Sequence, residues 1–170
     1  EVWCDGMEVT QFTYFQQVGG VDLDPIACEI TYGLERIAMF AQGGTDIYRL
    51  RWGPGHAYGS LHLQNEREGS AYNFTYAQID LHRQLFDSYE REAQRLLEAN
   101  LLFPAYEHLL KCSHAFNLLD ARGAISQSDR PRLILRIRTL AKRCAETYLE
   151  RLTEGPGARD LGPGKNKTNP

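Results

Sequence analysis

The chain has 170 residues, 42% of them hydrophobic and 24% charged, and carries a formal net charge of −3. That composition belongs to a globular protein of one ordinary domain or two small ones. The small negative total supplies no overall attraction to nucleic acid or anionic lipid, no apolar run reaches the roughly 18 residues of a membrane span, and no basic-then-apolar leader opens the sequence.

The first 60 residues favour strands. Glu1-Val2-Trp3 begins inside a strand-like run, so the chain is expected to be the C-terminal part of a longer protein. Val9 to Gln17 is dense in β-branched and aromatic residues and predicts a strand. In extended form Glu8, Thr10, Phe12, Tyr14 and Gln16 share one face, and Val9, Gln11, Thr13, Phe15 and Gln17 the other. Both faces mix polar and apolar groups, which suits the floor of a pocket. Gly19-Gly20 ends the strand, Asp22-Leu23-Asp24-Pro25 predicts a turn, and Ile26 to Thr31 predicts a second short strand with Glu29 between Cys28 and Ile30. A helix is expected from Leu34 to Gln42, stopped by Gly43-Gly44. Residues 45–72 read as irregular, with Gly53-Pro54-Gly55 as a breaker.

From about residue 75 the apolar spacing becomes helical. Ile79, Leu85, Phe86, Tyr89, Ala93, Leu96 and Leu97 mark one face. A second helix is expected over Pro104 to Asn117, and Leu118 to Ala124 either continues it or forms a loop. Serines, Asp129 and Pro131 start a third helix that runs to about Leu152, with Ile137, Ala141, Cys144 and Tyr148 facing inward. Six basic residues (Arg130, Arg132, Arg136, Arg138, Lys142 and Arg143) lie on it within fourteen positions, with no acid among them. They read as a solvated face paired to acids elsewhere, such as Glu90, Glu92 and Glu98, in preference to an RNA-facing strip. Residues 155–170 are rich in Gly, Pro, Asn and Lys and are expected to be a flexible tail.

The four cysteines, Cys4, Cys28, Cys112 and Cys144, form no Cys-x-x-Cys pair and read as reduced, mostly core thiols of a cytoplasmic protein. Of the histidines, His82 is expected on an exposed helical surface. No histidine has metal-ligand spacing to a partner, so surface or hydrogen-bonded core roles are expected.

The chemistry concentrates at Thr31-Tyr32-Gly33-Leu34-Glu35-Arg36, where strand gives way to helix. A helix N-terminus carries partial positive charge, and an arginine beside it adds a fixed fork of donors. Such a spot suits a phosphate. A plain surface pairing of Arg36 with a neighbour such as Glu35 is the structural alternative.

Three runs carry a family resemblance: Gly6-Met7-Glu8-Val9-Thr10-Gln11-Phe12-Thr13-Tyr14-Phe15-Gln16-Gln17-Val18-Gly19-Gly20, Glu29 through Arg36, and Lys111 through Ser126. With Leu63-Gln64-Asn65-Glu66 and Tyr72-Asn73-Phe74, they closely resemble the alpha subunit of bacterial heterotetrameric glycyl-tRNA synthetase, over roughly residues 1–152. The resemblance implies an α+β chain: the C-terminal part of a class II synthetase antiparallel β-sheet catalytic domain over 1–72, then a helical bundle domain over 73–154. It implies glycine–tRNA ligase activity, with glycine, ATP, Mg2+ and tRNA(Gly) as ligands. A second alpha subunit and two beta subunits are the implied partners.

The resemblance also implies residue roles. Gly33 to Arg36 is similar to the third signature motif of the class, with Arg36 on the ATP phosphates and Gly33 close to the adenine. Glu29 takes the place of the acceptor for the amino group of glycine. A carboxylate in an apolar strand needs a partner, since burying a lone charge is costly; an internal salt bridge to Arg36 or Arg49 is the plain alternative. Thr31 shares its face and would add a hydroxyl while keeping the pocket small. Glu8 is a candidate to hold magnesium, because hard cations choose carboxylate oxygens. Gln11 is a candidate contact to ATP or substrate from the opposite face.

The first two signature motifs of the class are not in this sequence, so the chain alone is expected to be inactive or very weak. The rival from another class is a truncated, non-catalytic paralogue used for protein or RNA binding. A synthetase for another small amino acid, such as alanine, is a third reading that the Glu8-to-Gly20 run disfavours.

Overall fold

A computed structural model describes residues 1–154, and the expected flexible tail at 155–170 lies outside them. The described chain is α+β. Strands β1 (Val2–Cys4), β2 (Met7–Val18) and β3 (Val21–Tyr32) form an antiparallel sheet in the order β1-β2-β3. Helix α1 (Leu34–Gln42) follows, then a 3-10 turn at Ile47–Arg49 and a small hairpin of β4 (Arg51–Gly53) and β5 (His56–Ala57). Helix α2 (Tyr58–Ala71) runs into a π-helical turn at Tyr72–Tyr76, and α3 (Ile79–Glu98), α4 (Leu102–Ala121) and α5 (Asp129–Glu154) complete the order.

Glycine geometry sets the sheet. Asp5 (φ 47°) and Gly6 (φ 78°) close the β1–β2 hairpin in two residues, and Gly19 (φ 60°) and Gly20 (φ 80°) close β2–β3. Paired positive φ values match the natural twist of a tight hairpin. This overturns the predicted turn at Asp22-Leu23-Asp24-Pro25. The chain has already reversed at Gly19-Gly20, so those residues lie inside β3, where the Gln17 amide donates to Asp22 at 2.6 Å. Pro25 is tolerated because β3 is an edge strand.

The tip of that hairpin meets the helices. A Cβ on Gly19 would sit 2.9 Å from the Ala145 Cβ of α5 and 3.0 Å from the Ala141 carbonyl oxygen. Glycine and two alanines thus let sheet and helix approach closely.

Helices α3, α4 and α5 hold the core. One cluster joins Ala93, Leu96, Leu102, Leu109, Leu140 and Cys144; a second joins Phe86, Cys112, Ala115 and Phe116. Ala93, Ala105 and Cys112 have no exposed surface. The apolar face read from the sequence of α3 supplies Phe86, Ala93, Leu96 and Leu97 to this core. On α5, Leu140 is the most buried residue, and Tyr148 stays half exposed. Arg122 ties α4 to the chain entering α3, donating to the Phe74 and Ala77 carbonyls at 2.9 and 3.1 Å.

Two expectations are corrected. Residues 45–72 are not irregular: they contain α2, which escapes the periodicity test because none of its residues is buried. Its Gly59 is required, since a Cβ there would lie 2.7 Å from the Tyr48 carbonyl oxygen. His82 is not exposed. It is buried, and its Nε2 shares a 3.0 Å hydrogen bond with the Tyr72 hydroxyl from the π-helical turn.

The basic residues of α5 mostly have acidic partners. Arg136 pairs with Glu90 and Asp87 and lies over the Phe86 ring at 4.6 Å. Arg130 pairs with Asp120, Arg132 with Asp129, and Lys142 with Glu146. Glu92 takes Arg95 of its own helix instead. The hydrogen bond to Glu90, then that to Asp87, hold the Arg136 guanidinium above its ordinary range against the opposing effect of burial.

Candidate active site

The strand-to-helix junction is built by backbone pairing. Strand pairing of β2 with β3 ends at Thr10 opposite Tyr32; the Gly33 N–H then donates to the Val9 carbonyl at 2.8 Å, and α1 begins. A Cβ on Gly33 would stand 3.3 Å from that Val9 oxygen and 3.5 Å from Arg36 Cδ, so glycine permits the close seat of the helix start. No side chain caps α1, which leaves first-turn N–H groups without a side-chain acceptor.

Arg36 is exposed. One Nη–H donates to the Glu8 carbonyl oxygen at 2.8 Å. That single bond anchors the guanidinium beside the helix start and leaves most of its five N–H donors for another acceptor. Arg36 does not pair with Glu35 or Glu29 among the described residues. Glu35 instead accepts from the Tyr58 hydroxyl at 3.1 Å, and Arg49 pairs with Asp46. Burial, then Glu35, raise the Tyr58 pKa, so the phenol keeps its proton at neutral pH.

The pairing of β2 with β3 decides which residues share a face. Gln11 lies directly opposite Thr31, and Thr13 opposite Glu29. Cross-strand partners project to the same side, so Gln11, Thr13, Glu29 and Thr31 form one polar patch. The Thr31 hydroxyl donates to Glu29 Oε1 at 2.6 Å. The expected burial of Glu29 is corrected: it is exposed, because no described element lies over it. The plain alternative, a salt bridge of Glu29 to Arg36 or Arg49, is absent among the described residues, and Arg49 pairs with Asp46.

Glu8 lies beyond a register irregularity in the β1–β2 pairing, opposite Trp3 of β1. It lines an open cavity of about 600 Å³ with Arg36, Trp3, Met39, Asp46 and Tyr48. The structure therefore brings the six sequence-predicted residues together in two groups. Gln11, Glu29 and Thr31 share a sheet face; Glu8 and Arg36 share a cavity at the end of the same strands, with Gly33 at the junction. Sequence reasoning missed Trp3 and Tyr48 in this cavity, and Tyr58, which bonds Glu35 of α1. Their only signal was aromatic composition, which does not say where a ring points.

Among the described residues no cluster of three or more His, Cys, Asp or Glu is placed to hold a metal, and no helix is long and apolar enough to cross a membrane.

This α+β chain carries an arginine with most of its donors unused at an uncapped helix start, and a threonine-oriented carboxylate on the strand before it, groups suited to an anion and to an ammonium group. Those are the two charged partners that an amino-acid-activating ligase must hold. The model of the glycyl-tRNA synthetase alpha subunit family matches residues 1–153. The chain belongs to that family, and so to the aminoacyl-tRNA ligases.

Proposed function

We propose that the chain is the alpha subunit of a class II glycine–tRNA ligase. It would join glycine and ATP as glycyl-adenylate and pass glycine to the terminal adenosine of tRNA(Gly), in a cytoplasmic assembly with a second alpha and two beta subunits. The observation that carries this reading is Arg36, held by a backbone carbonyl at an uncapped helix start within a chain that matches the family over residues 1–153.

In the first step the glycine carboxylate attacks the α-phosphate of ATP and pyrophosphate leaves. No protein nucleophile is needed, and the protein's part is to position charge. Glu29 would hold the glycine ammonium, with one of its oxygens fixed by the Thr31 hydroxyl. The branched carbon and methyl of Thr31 take up room beside it, a steric block that small-substrate selectivity requires. Arg36 would take phosphate oxygens and offset their charge as pyrophosphate departs. Gln11, opposite Thr31, would contact the adenylate from the same face as Glu29. Gly33 would let the nucleotide approach the backbone.

Glu8 fits a magnesium ion held jointly with phosphate oxygens. Such an ion needs one or two carboxylates and no protein cage, and Arg36 occupies the Glu8 carbonyl and not its carboxylate. The ion would supply further neutralisation of the phosphates when bound.

The test is glycine-dependent exchange of pyrophosphate into ATP by this chain assembled with its partner subunit. Exchange that requires glycine and falls at least about tenfold in Arg36→Ala supports the reading. Exchange indifferent to glycine, or unchanged in Arg36→Ala, contradicts it.

A further inference from the structure

A cluster of aromatic rings stands beside the cavity, and none of the roles above uses it. Trp52, in the β4–β5 hairpin, meets Tyr58 at 5.5 Å and His62 at 5.8 Å, both edge-on, and Tyr58 stacks on His62 at 4.4 Å. Tyr58 also lies 6.5 Å from Tyr48, which lines the cavity of Arg36 and Glu8. The rings thus form a path from the cavity to the outer surface.

The end of that path is fixed in place and open. Both backbone groups of Arg51 are held by one side chain: the Gln42 amide donates to its carbonyl at 3.1 Å and accepts from its N–H at 2.9 Å. Tyr58 is tied to Glu35 in the first turn of the same helix. The hairpin and the start of α2 that follows it are therefore tied to the two ends of α1. Yet Trp52 is 60% exposed. A rigidly supported indole with most of its surface in solvent is a costly arrangement for a purely structural ring.

The local charge selects the ligand. From Ile47 to His62 the sequence holds Arg49, Arg51, His56 and His62 and no acid, and Asp46 just before it pairs with Arg49. Arg49 and Arg51 are exposed and precede the indole in sequence. An aromatic ring among cations suits an unpaired nucleotide strand, whose bases stack and whose phosphates attract arginine. A hydrophobic protein partner has no use for the cations.

We propose that Trp52 is a stacking platform for the unpaired 3′ end of an RNA substrate, with Arg51 contacting its phosphates. The platform would steer the acceptor end toward the cavity of Arg36. This rests on the ligase reading above and adds to it a residue that positions the second substrate.

The chain has two tryptophans, Trp3 and Trp52. In a Trp3→Phe background Trp52 is the sole indole reporter. The full chain is titrated with an RNA hairpin bearing a four-nucleotide unpaired 3′ tail, and with the same hairpin made blunt. Quenching by the tailed RNA, with affinity at least about tenfold above that for the blunt RNA, is expected. By filter binding without the reporter, Trp52→Leu should lose that preference and Trp52→Phe should keep most of it, both variants melting as the parent does. Equal affinity for the two RNAs, absence of quenching, or equal tail preference in the Leu and Phe variants overturns the proposal. Loss of the partner subunit in Trp52→Leu with RNA affinity intact also overturns it, and makes the indole a subunit contact. The titration needs neither glycine nor ATP. Its failure beside intact glycine-dependent exchange counts against Trp52 alone, and its success without exchange counts against the glycine reading alone.

Discussion

The Thr31 hydroxyl donates to Glu29 Oε1 at 2.6 Å, and this one bond fixes how the carboxylate faces its surroundings. One oxygen is engaged and the other is left for a cation. Thr31→Val keeps the shape of the side chain and removes the donor. Because the pair is exposed, melting should change by less than about 1 kcal/mol. Affinity for a glycyl-adenylate analogue should fall several-fold, as expected for a lost hydrogen bond to a charged group. Titration calorimetry and thermal melting, run together, check both halves.

Arg36→Lys should fail to replace arginine. The present bond to the Glu8 carbonyl and any phosphate contact must be made at once. A planar fork of five donors can do that, whereas an ammonium is a single point charge. ATP affinity measured by equilibrium dialysis should drop at least about tenfold in Arg36→Lys and nearly as far as in Arg36→Ala.

Gly19→Ala should destabilise the fold. The residue has φ 60°, and the added carbon would lie 2.9 Å from Ala145 Cβ and 3.0 Å from a backbone oxygen of α5. Strain of this kind costs on the order of 1–3 kcal/mol. At this chain length that lowers Tm by roughly 2–4 °C per kcal/mol. Calorimetric melting reads it directly. Gly6→Ala, also at positive φ but with open space around the new carbon, should cost less.

Thiol reactivity should sort by burial. Burial pushes the Cys112 thiol up to about 12 and raises that of Cys144, while Cys28 is exposed. Thiolate is the reactive form. At pH 8 an alkylating reagent should modify Cys28 first, and should reach Cys112 and Cys144 only on unfolding. Mass spectrometry of a time course tests this.

The start of α5 should weaken in acid. The Ser126 hydroxyl and then Arg132 hold the Asp129 carboxyl below its ordinary value. A group with a lowered folded pKa adds stability above its unfolded pKa and loses it as pH falls through the folded one. Helicity by circular dichroism should therefore decline below about pH 4, with a smaller decline in Asp129→Asn.

Much of the site was legible because it depends on local signals. Gly33 before α1 and Gly43 after it mark that helix at both ends, and Gly43 does take the left-handed conformation, at φ 63°. The face shared by Glu29 and Gln11 was not legible. At the turn Gln17 pairs with Asp22, and that register continued unbroken would set Gln11 against Cys28. An irregularity between Phe15 and Gln17 shifts the pairing, so that Gln11 meets Thr31. An odd shift of register moves every side chain to the other face, and nothing in the residue types announces it. The exposure of Glu29 was missed for a related reason: an apolar run in sequence does not reveal whether another layer covers it. Helix α2 was missed because its faces are alike, and His82 because its burial depends on a tyrosine ten positions earlier.

The central claim is that Glu29 holds the amino group of glycine in this chain. The most direct measurement is calorimetric binding of a non-hydrolysable glycyl-adenylate analogue, beside the alanyl analogue and a Glu29→Ala variant. Tighter binding of the glycyl compound, lost in Glu29→Ala with the melting temperature kept, is the predicted result. Equal or tighter binding of the alanyl compound, or glycyl binding unchanged in Glu29→Ala, would contradict it.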